Sequence, residues 1–168
     1  MPTTLATRPS TPALAPSQEW VIAAPFRAHV SHLIHNAEVP WPVIAYQAGV
    51  PQGVLRTLLF GRQGKLRPKI PQDVALRLVS LRPQDLVWMR VTQVRAERTG
   101  TRIRNLRTAN KTWPDIAQFL HIDMESCRAI AHGQQSYVSV MVEVLAHCAC
   151  GQVGLASWED SPGADLDS

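Results

Sequence analysis

The sequence predicts an all-α fold made of two related helical units in tandem. Apolar residues recur at helical rather than alternating spacing, prolines and glycines cut the chain into short elements, and one helical pattern returns 72 residues later. At 168 residues, with 45% hydrophobic and 18% charged residues, the chain suits one ordinary domain or two compact ones and falls outside the disordered range.

Residues 1–19 are rich in Pro, Thr, Ala and Ser without periodicity and read as a flexible arm. A first helix is expected over residues 25–37, with Val30, Leu33 and Ile34 facing inward. A short helix follows over 41–48; Pro42 is tolerated there because first-turn amides have no intrahelical acceptor, and Gly49 ends it at positive φ. A third helix covers 52–60 and stops at Gly61. After the loop GRQGKLRPK comes a fourth helix over 71–81, with Val74, Leu78 and Leu81 as its stripe. Arg82-Pro83 closes that unit, which gives a first domain over 20–86 and a linker over 87–95.

The second domain, expected over 96–150, repeats the first. Trp41-Pro42 falls on Trp113-Pro114, Ile44 on Ile116, Ala45 on Ala117, Val50 on Ile122, Leu55 on Cys127, Leu58 on Ile130 and Gly61 on Gly133. Upstream the offset becomes 73, pairing Val30 with Ile103 and Leu33 with Leu106. A final helix is expected over 137–147; the run 137–144 comes nearest to strand alternation, but its spacing also suits a helix. Residues 151–168 form an acidic tail.

This pattern fits two short helices crossing through a tight corner, a helix-turn-helix. Ala45 and Ala117 leave room at the crossing, Gly49 suits the corner, and Ile44, Ala48, Val50, Leu55 and Leu58 close a small core. The outward positions of the next helix are then Pro51, Gln52, Gly53, Arg56 and Thr57. Gln pairs bidentately with adenine and Arg with guanine, so Gln52, Arg56 and Thr57 are the expected base readers, with Gly53 beside them. Arg62, Lys65, Arg67 and Lys69 follow directly, placed for phosphates, and the basic approach segment of the second copy adds Arg102, Arg104 and Lys111.

In the second copy His121 takes the corner, Thr112 and Asp115 have capping-box spacing, and Asp123 is expected to cap the next helix. Met124, Glu125 and Arg128 would project from that helix, so it either reads bases or serves as a packing or partner-binding module. Alanine and glycine at these corners would also suit a plain helical bundle; the second copy and the basic loop favour DNA.

The segments PFRAHVSHL, WPVIAYQAGVPQGVLRTLLFG and IPQDVALRLVSLRPQDL, followed by RTGTRIRNLR and TWPDIAQFLHI, resemble the tandem helix-turn-helix DNA-binding proteins of actinobacteria and their phages over residues 24–147. The resemblance implies a transcription regulator. Pro51 stands where a capping Ser or Thr is usual, and the second reading helix is acidic.

Charge is segregated along the chain: residues 56–111 hold 14 Lys and Arg against three acids, whereas residues after 111 hold eight acids against Arg128 alone. A polyanion is the expected partner of the centre. The expected function is sequence-specific binding of double-stranded DNA at an asymmetric site, as a repressor. The alternative is a protein-binding regulator, an antirepressor or polymerase-associated factor, working through the second unit or the acidic tail.

No enzyme is expected, because no phosphate-binding glycine loop, nucleophile motif or His-Glu metal pair occurs. Neither metal nor cofactor is expected: His147, Cys148 and Cys150 offer one cramped group, and Cys127 falls on a core position. His29, His32 and His35, at helical spacing, read as a helix face. Of the tryptophans, Trp41 and Trp113 read as core, and Trp20, Trp88 and Trp158 as docking residues at unit boundaries. Three cysteines, with no apolar run of membrane-spanning length and no basic-apolar leader, suggest a reducing cytoplasm.

Overall fold

The computed structural model describes residues 19–155, so the expected arm, except Glu19, and the expected tail from 156 onward lie outside the described residues; residues 151 and 152, expected in that tail, belong to the last helix. Nine helices make the described chain 64% helical, joined by two small sheets. The elements run β1 (Trp20–Ile22), α1 (Ala24–Ala37), α2 (Trp41–Ala48), α3 (Gln52–Phe60), β2 (Lys69–Pro71), α4 (Gln72–Val79) and α5 (Gln84–Val91). They continue as β3 (Gln93–Arg95), α6 (Glu97–Thr108), α7 (Trp113–Leu120), α8 (Met124–Ala131), β4 (Tyr137–Ser139) and α9 (Val140–Gln152).

The order strand, three helices, strand, helix thus occurs twice. β1 pairs antiparallel with β2, Val21 opposite Ile70, and β3 pairs antiparallel with β4, Val94 opposite Val138. The flanking hydrogen bonds repeat as well. The Ala23 amide donates to the Pro68 carbonyl and the Ala96 amide to Ser136, both at 2.9 Å. In each unit the short ladder straps the start of the first helix to the segment after the third, satisfying backbone groups that would otherwise be stranded beside the core.

An all-α fold is therefore corrected to a mainly helical one. Residues 137–139 form a strand, not the opening of the last helix, which runs on to Gln152. Residues 87–95 are not a linker: they complete α5, whose Leu86 and Met89 are buried, and form β3.

The buried side chains form one continuous core. Its hub is α9, where all residues from 140 to 150 except Met141 and His147 are buried. This helix packs against α2 and α5 on one side and against α6 and α7 on the other. The Cys148 thiol lies 3.7 Å from the Pro42 carbonyl, and the His147 ring stands edge-on to Tyr46 at 5.6 Å. Burial pushes the Tyr46 phenol above its ordinary pKa, with nearby Cys148 adding to the rise. Two charges are buried in the same region, where Arg102 of α6 meets Glu143 of α9 at 3.7 Å.

Candidate nucleic-acid interface

Between α2 and α3 the chain turns through Gly49, left-handed at φ 65°, and the Val50 amide returns to the Ala45 carbonyl at 2.9 Å. Ala45 is fully buried at this corner, where a larger side chain would force the helices apart. Arg77 of α4 donates to the Gly49 carbonyl at 2.7 Å, fixing the corner from the far side. Leu55 and Leu58 bury the inner face of α3. Gly53 and Arg56 face solvent, and Thr57 is half-buried with its hydroxyl donating to the Gly53 carbonyl at 2.7 Å.

Gln52 departs from the expectation that it reads bases. Its amide nitrogen donates to the Cys148 carbonyl at 3.1 Å, and its amide oxygen accepts from Gln152 at 2.9 Å. The second unit's last helix therefore holds this side chain, and α3 offers Gly53, Arg56 and Thr57 without it.

The segment after α3 is a tight β-hairpin. Arg62 and Lys65 exchange backbone hydrogen bonds at 2.9 and 3.1 Å across a two-residue turn, Gln63-Gly64, with φ of 53° and 75°. Two positive φ values in succession match the twist of the flanking strands, the reason a glycine is favoured there. Gly61 opens the hairpin at φ 74°, and a Cβ on it would lie 2.3 Å from the Lys65 carbonyl oxygen. Arg62, Lys65 and Leu66 are exposed on this projection.

Arg27 of α1, not singled out from the sequence, fastens the base of the hairpin. It donates to the Leu58 carbonyl at 2.7 Å and to the Arg67 carbonyl at 2.9 Å. Arg67 itself is half-buried with its guanidinium over the Trp20 ring at 5.7 Å, and Lys69 is exposed on β2. Among the described residues, no ion pair involves Arg56, Arg62, Lys65, Arg67 or Lys69. The surface is thus a helix end and an adjoining hairpin that carry unneutralised positive charge.

The α7–α8 corner copies the first. His121 takes the left-handed position at φ 54°, and the Ile122 amide returns to Ala117 at 3.1 Å. Thr112 caps α7 by accepting from the Asp115 amide at 3.2 Å. Asp123 caps α8, accepting from the Ser126 amide and hydroxyl, each at 2.7 Å. Those two hydrogen bonds hold the Asp123 carboxyl below its ordinary pKa.

The cations expected to grip phosphate on the second unit scatter. Arg102 is a correction: it is buried against Glu143 and cannot reach a phosphate without unpacking α6 from α9. Arg104 donates to the Ala131 carbonyl at 2.7 Å and so caps the end of α8, although it remains exposed. Arg128 is exposed with its guanidinium 5.7 Å from the centre of the Trp113 ring. Arg107, which sequence reasoning passed over, lies 4.9 Å from the same ring. Lys111 is exposed on the rim of a depression shared with Asp115, Phe119, Gln152 and Val153.

His29 is half-buried with Nε2 3.2 Å from the Leu81 carbonyl, 52 positions away, and exposed His32 contacts Asn36 one turn along, so these two histidines sit on a helix face with polar partners. Cys127 is fully buried in the core. Among the described residues, no group of His, Cys, Asp and Glu suits a metal ion, and no helix is long and apolar enough to cross a membrane. No family model matches the chain, and searches of curated proteins and of solved structures give no match.

Proposed function

We propose that the chain is a sequence-specific, double-stranded DNA-binding transcriptional regulator, acting as a cytoplasmic repressor. On this reading it is a binding protein, not an enzyme, and a tandem helix-turn-helix protein of the actinobacterial and phage kind. One observation carries the proposal: α3 leaves a corner fixed by Gly49, Ala45 and Arg77 with Arg56 outward, beside a tight hairpin whose Arg62 and Lys65 have no acidic partner among the described residues.

In this arrangement the exposed face of α3 enters the major groove, where Arg56 donates to a guanine edge and Thr57 and the bare Gly53 allow close approach. Arg62 and Lys65 neutralise phosphates on the flank, and Lys69 extends the contact. The second unit adds backbone contacts through Arg104, Lys111 and Arg128. Because Gln52 is bound to α9, it acts on DNA only by fixing where α3 stands relative to the second unit. The units differ in their reading residues, so the favoured site is asymmetric.

Selection of bound fragments from a random duplex pool, followed by footprinting, tests the reading. A protected site without two-fold symmetry is expected. Arg56→Ala should weaken specific binding at least tenfold and leave non-specific binding nearly unchanged, whereas Arg62→Ala with Lys65→Ala should lower affinity for all sequences and reduce the salt slope by about 2. A chain that enriches no sequence and binds duplexes with no salt dependence would reject the proposal.

A further inference from the structure

The last helix ends at the start of the first unit's exposed helix. Gln152, in the final turn of α9, donates to Gln52 in the first turn of α3 at 2.9 Å. Beyond it the chain is pinned. Gly154 is left-handed at φ 74°, and the Leu155 amide returns to the Cys150 carbonyl at 2.9 Å, which closes the helix and sets where residue 156 begins. Arg56 lies four positions after Gln52, one turn further along the same face of α3. Lys111 lines the depression that Gln152 and Val153 border, so a second cation sits near the same exit point.

Residues 156–168, ASWEDSPGADLDS, contain Glu159, Asp160, Asp165 and Asp167 and no Lys or Arg. Thirteen residues reach at most about 45 Å. The nine residues of α3 cover only about 14 Å. Four carboxylates are thus tethered within reach of a surface whose cations have no acidic partner among the described residues.

We propose that residues 156–168 occupy the basic face of α3 and the Arg62–Lys65 hairpin in the free protein, as an intramolecular anionic competitor. Contact between the tail and this face stands on the geometry and charge alone; that it competes with DNA rests on the proposed function. A tethered ligand acts at millimolar effective concentration. If the tail binds the face with a dissociation constant of about 0.1 mM, an external polyanion is weakened about tenfold. Counterion screening shortens the reach of such a contact to about 10 Å at 0.1 M salt, so the effect should fade as salt rises.

The test compares the full chain with a full-length variant carrying Glu159→Gln, Asp160→Asn, Asp165→Asn and Asp167→Asn. Backbone amide shifts are recorded without DNA at low and high salt, and affinity is measured for a short random-sequence duplex. The expected result is shift differences confined to residues 53–66 and Lys111 that vanish in high salt, with about tenfold tighter duplex binding by the variant at low salt.

Unchanged shifts over 53–66 would overturn the proposal even if affinity rose, since a change of four charges alone raises affinity for a polyanion. So would differences centred on Trp41, Phe60 and Phe119, or differences that grow with protein concentration, which indicate another docking site or a second copy. Localised shifts with neither protein binding duplex would leave the tail contact standing and remove the proposed function instead.

Discussion

Replacing Arg102 with methionine separates a structural cation from a phosphate ligand. The substitution keeps an unbranched apolar stem but removes the guanidinium, leaving Glu143 without Arg102 in a site where it is only 6% exposed. Breaking a buried pair from one side costs about 3–5 kcal/mol, because the remaining charge is desolvated without compensation. The Arg102–Glu143 separation of 3.7 Å exceeds the ~2.8 Å of a strong charge-assisted hydrogen bond, which favours the lower end, about 3 kcal/mol. For a folded body of this size that lowers Tm by about 10 °C. Removing both charges together, Arg102→Met with Glu143→Leu, should restore stability to within about 1 kcal/mol of wild type, since neither partner is then stranded. Urea and thermal unfolding monitored by circular dichroism give the stability and Tm of wild type and both variants, and duplex affinity measured on the folded proteins should not change. If Arg102→Met left Tm within about 2 °C of wild type and reduced the salt slope of binding by about 1, Arg102 would be a DNA contact and its assignment here wrong.

Four other perturbations probe the corner, the hairpin and the core. Gly61→Ala puts a methyl group 2.3 Å from the Lys65 oxygen at φ 74°; it should destabilise by about 1–3 kcal/mol and accelerate amide exchange over residues 62–66, an effect absent at Gly53→Ala, where the added Cβ meets nothing within 4 Å. Arg27→Met removes two hydrogen bonds from a charged group to carbonyls and should cost about 2 kcal/mol, with exchange protection lost around Leu58 and Arg67. Asp123 is held below its ordinary pKa, so its contribution is full above the unfolded value of about 3.9 and is lost as pH falls through the lower folded value; Asp123→Asn should flatten that part of the stability–pH curve while largely preserving stability at neutral pH. Burial pushes the Cys148 thiol up to about 12, and Cys127 and Cys150 are also buried, so a maleimide at pH 7 should label none of the three in the native protein and all three in urea; fast native labelling would mean that α9 opens readily.

Local signals carry much of this fold. Pro42, Gly49 and Gly61 mark the ends of α2 and α3, and the structure places both helices over the residues that those signals delimit. Asp123 and Thr112 cap where their spacing indicates. The strands escape notice because each is only three residues long, too short to display alternation, and its partner lies far along the chain, as Val21 opposite Ile70 shows. Residues 84–91 show only Leu86 and Met89 inward, with Val87, Trp88 and Val91 facing solvent, a stripe too sparse to announce a helix.

The site was legible in its positions and less so in its partners. Arg56, Arg62 and Lys65 are exposed as expected, because their surroundings are local. Gln52 is bound by residues 96 and 100 positions away, which no local pattern reports. Arg102 left a trace that could have been used. It shares the buried stripe of α6 with Thr99, Ile103 and Leu106, and Glu143 interrupts the apolar run of α9 in the same way. One charge inside each of two apolar stripes suggests that they meet.

The placement of α9 has a consequence for the order in which the protein matures. Pro42 and Tyr46 of α2 find their covering residues, Cys148 and His147, about a hundred positions downstream. At a translation rate of about 5–20 residues per second, that face of the nascent chain waits roughly 5–20 s for its cover. The first half can form its own corner and hairpin meanwhile, but with an apolar flank open to chaperones and to neighbouring polypeptides. A ribosome that stalls before α9 would release a chain whose basic surface is formed and whose interior is not sealed.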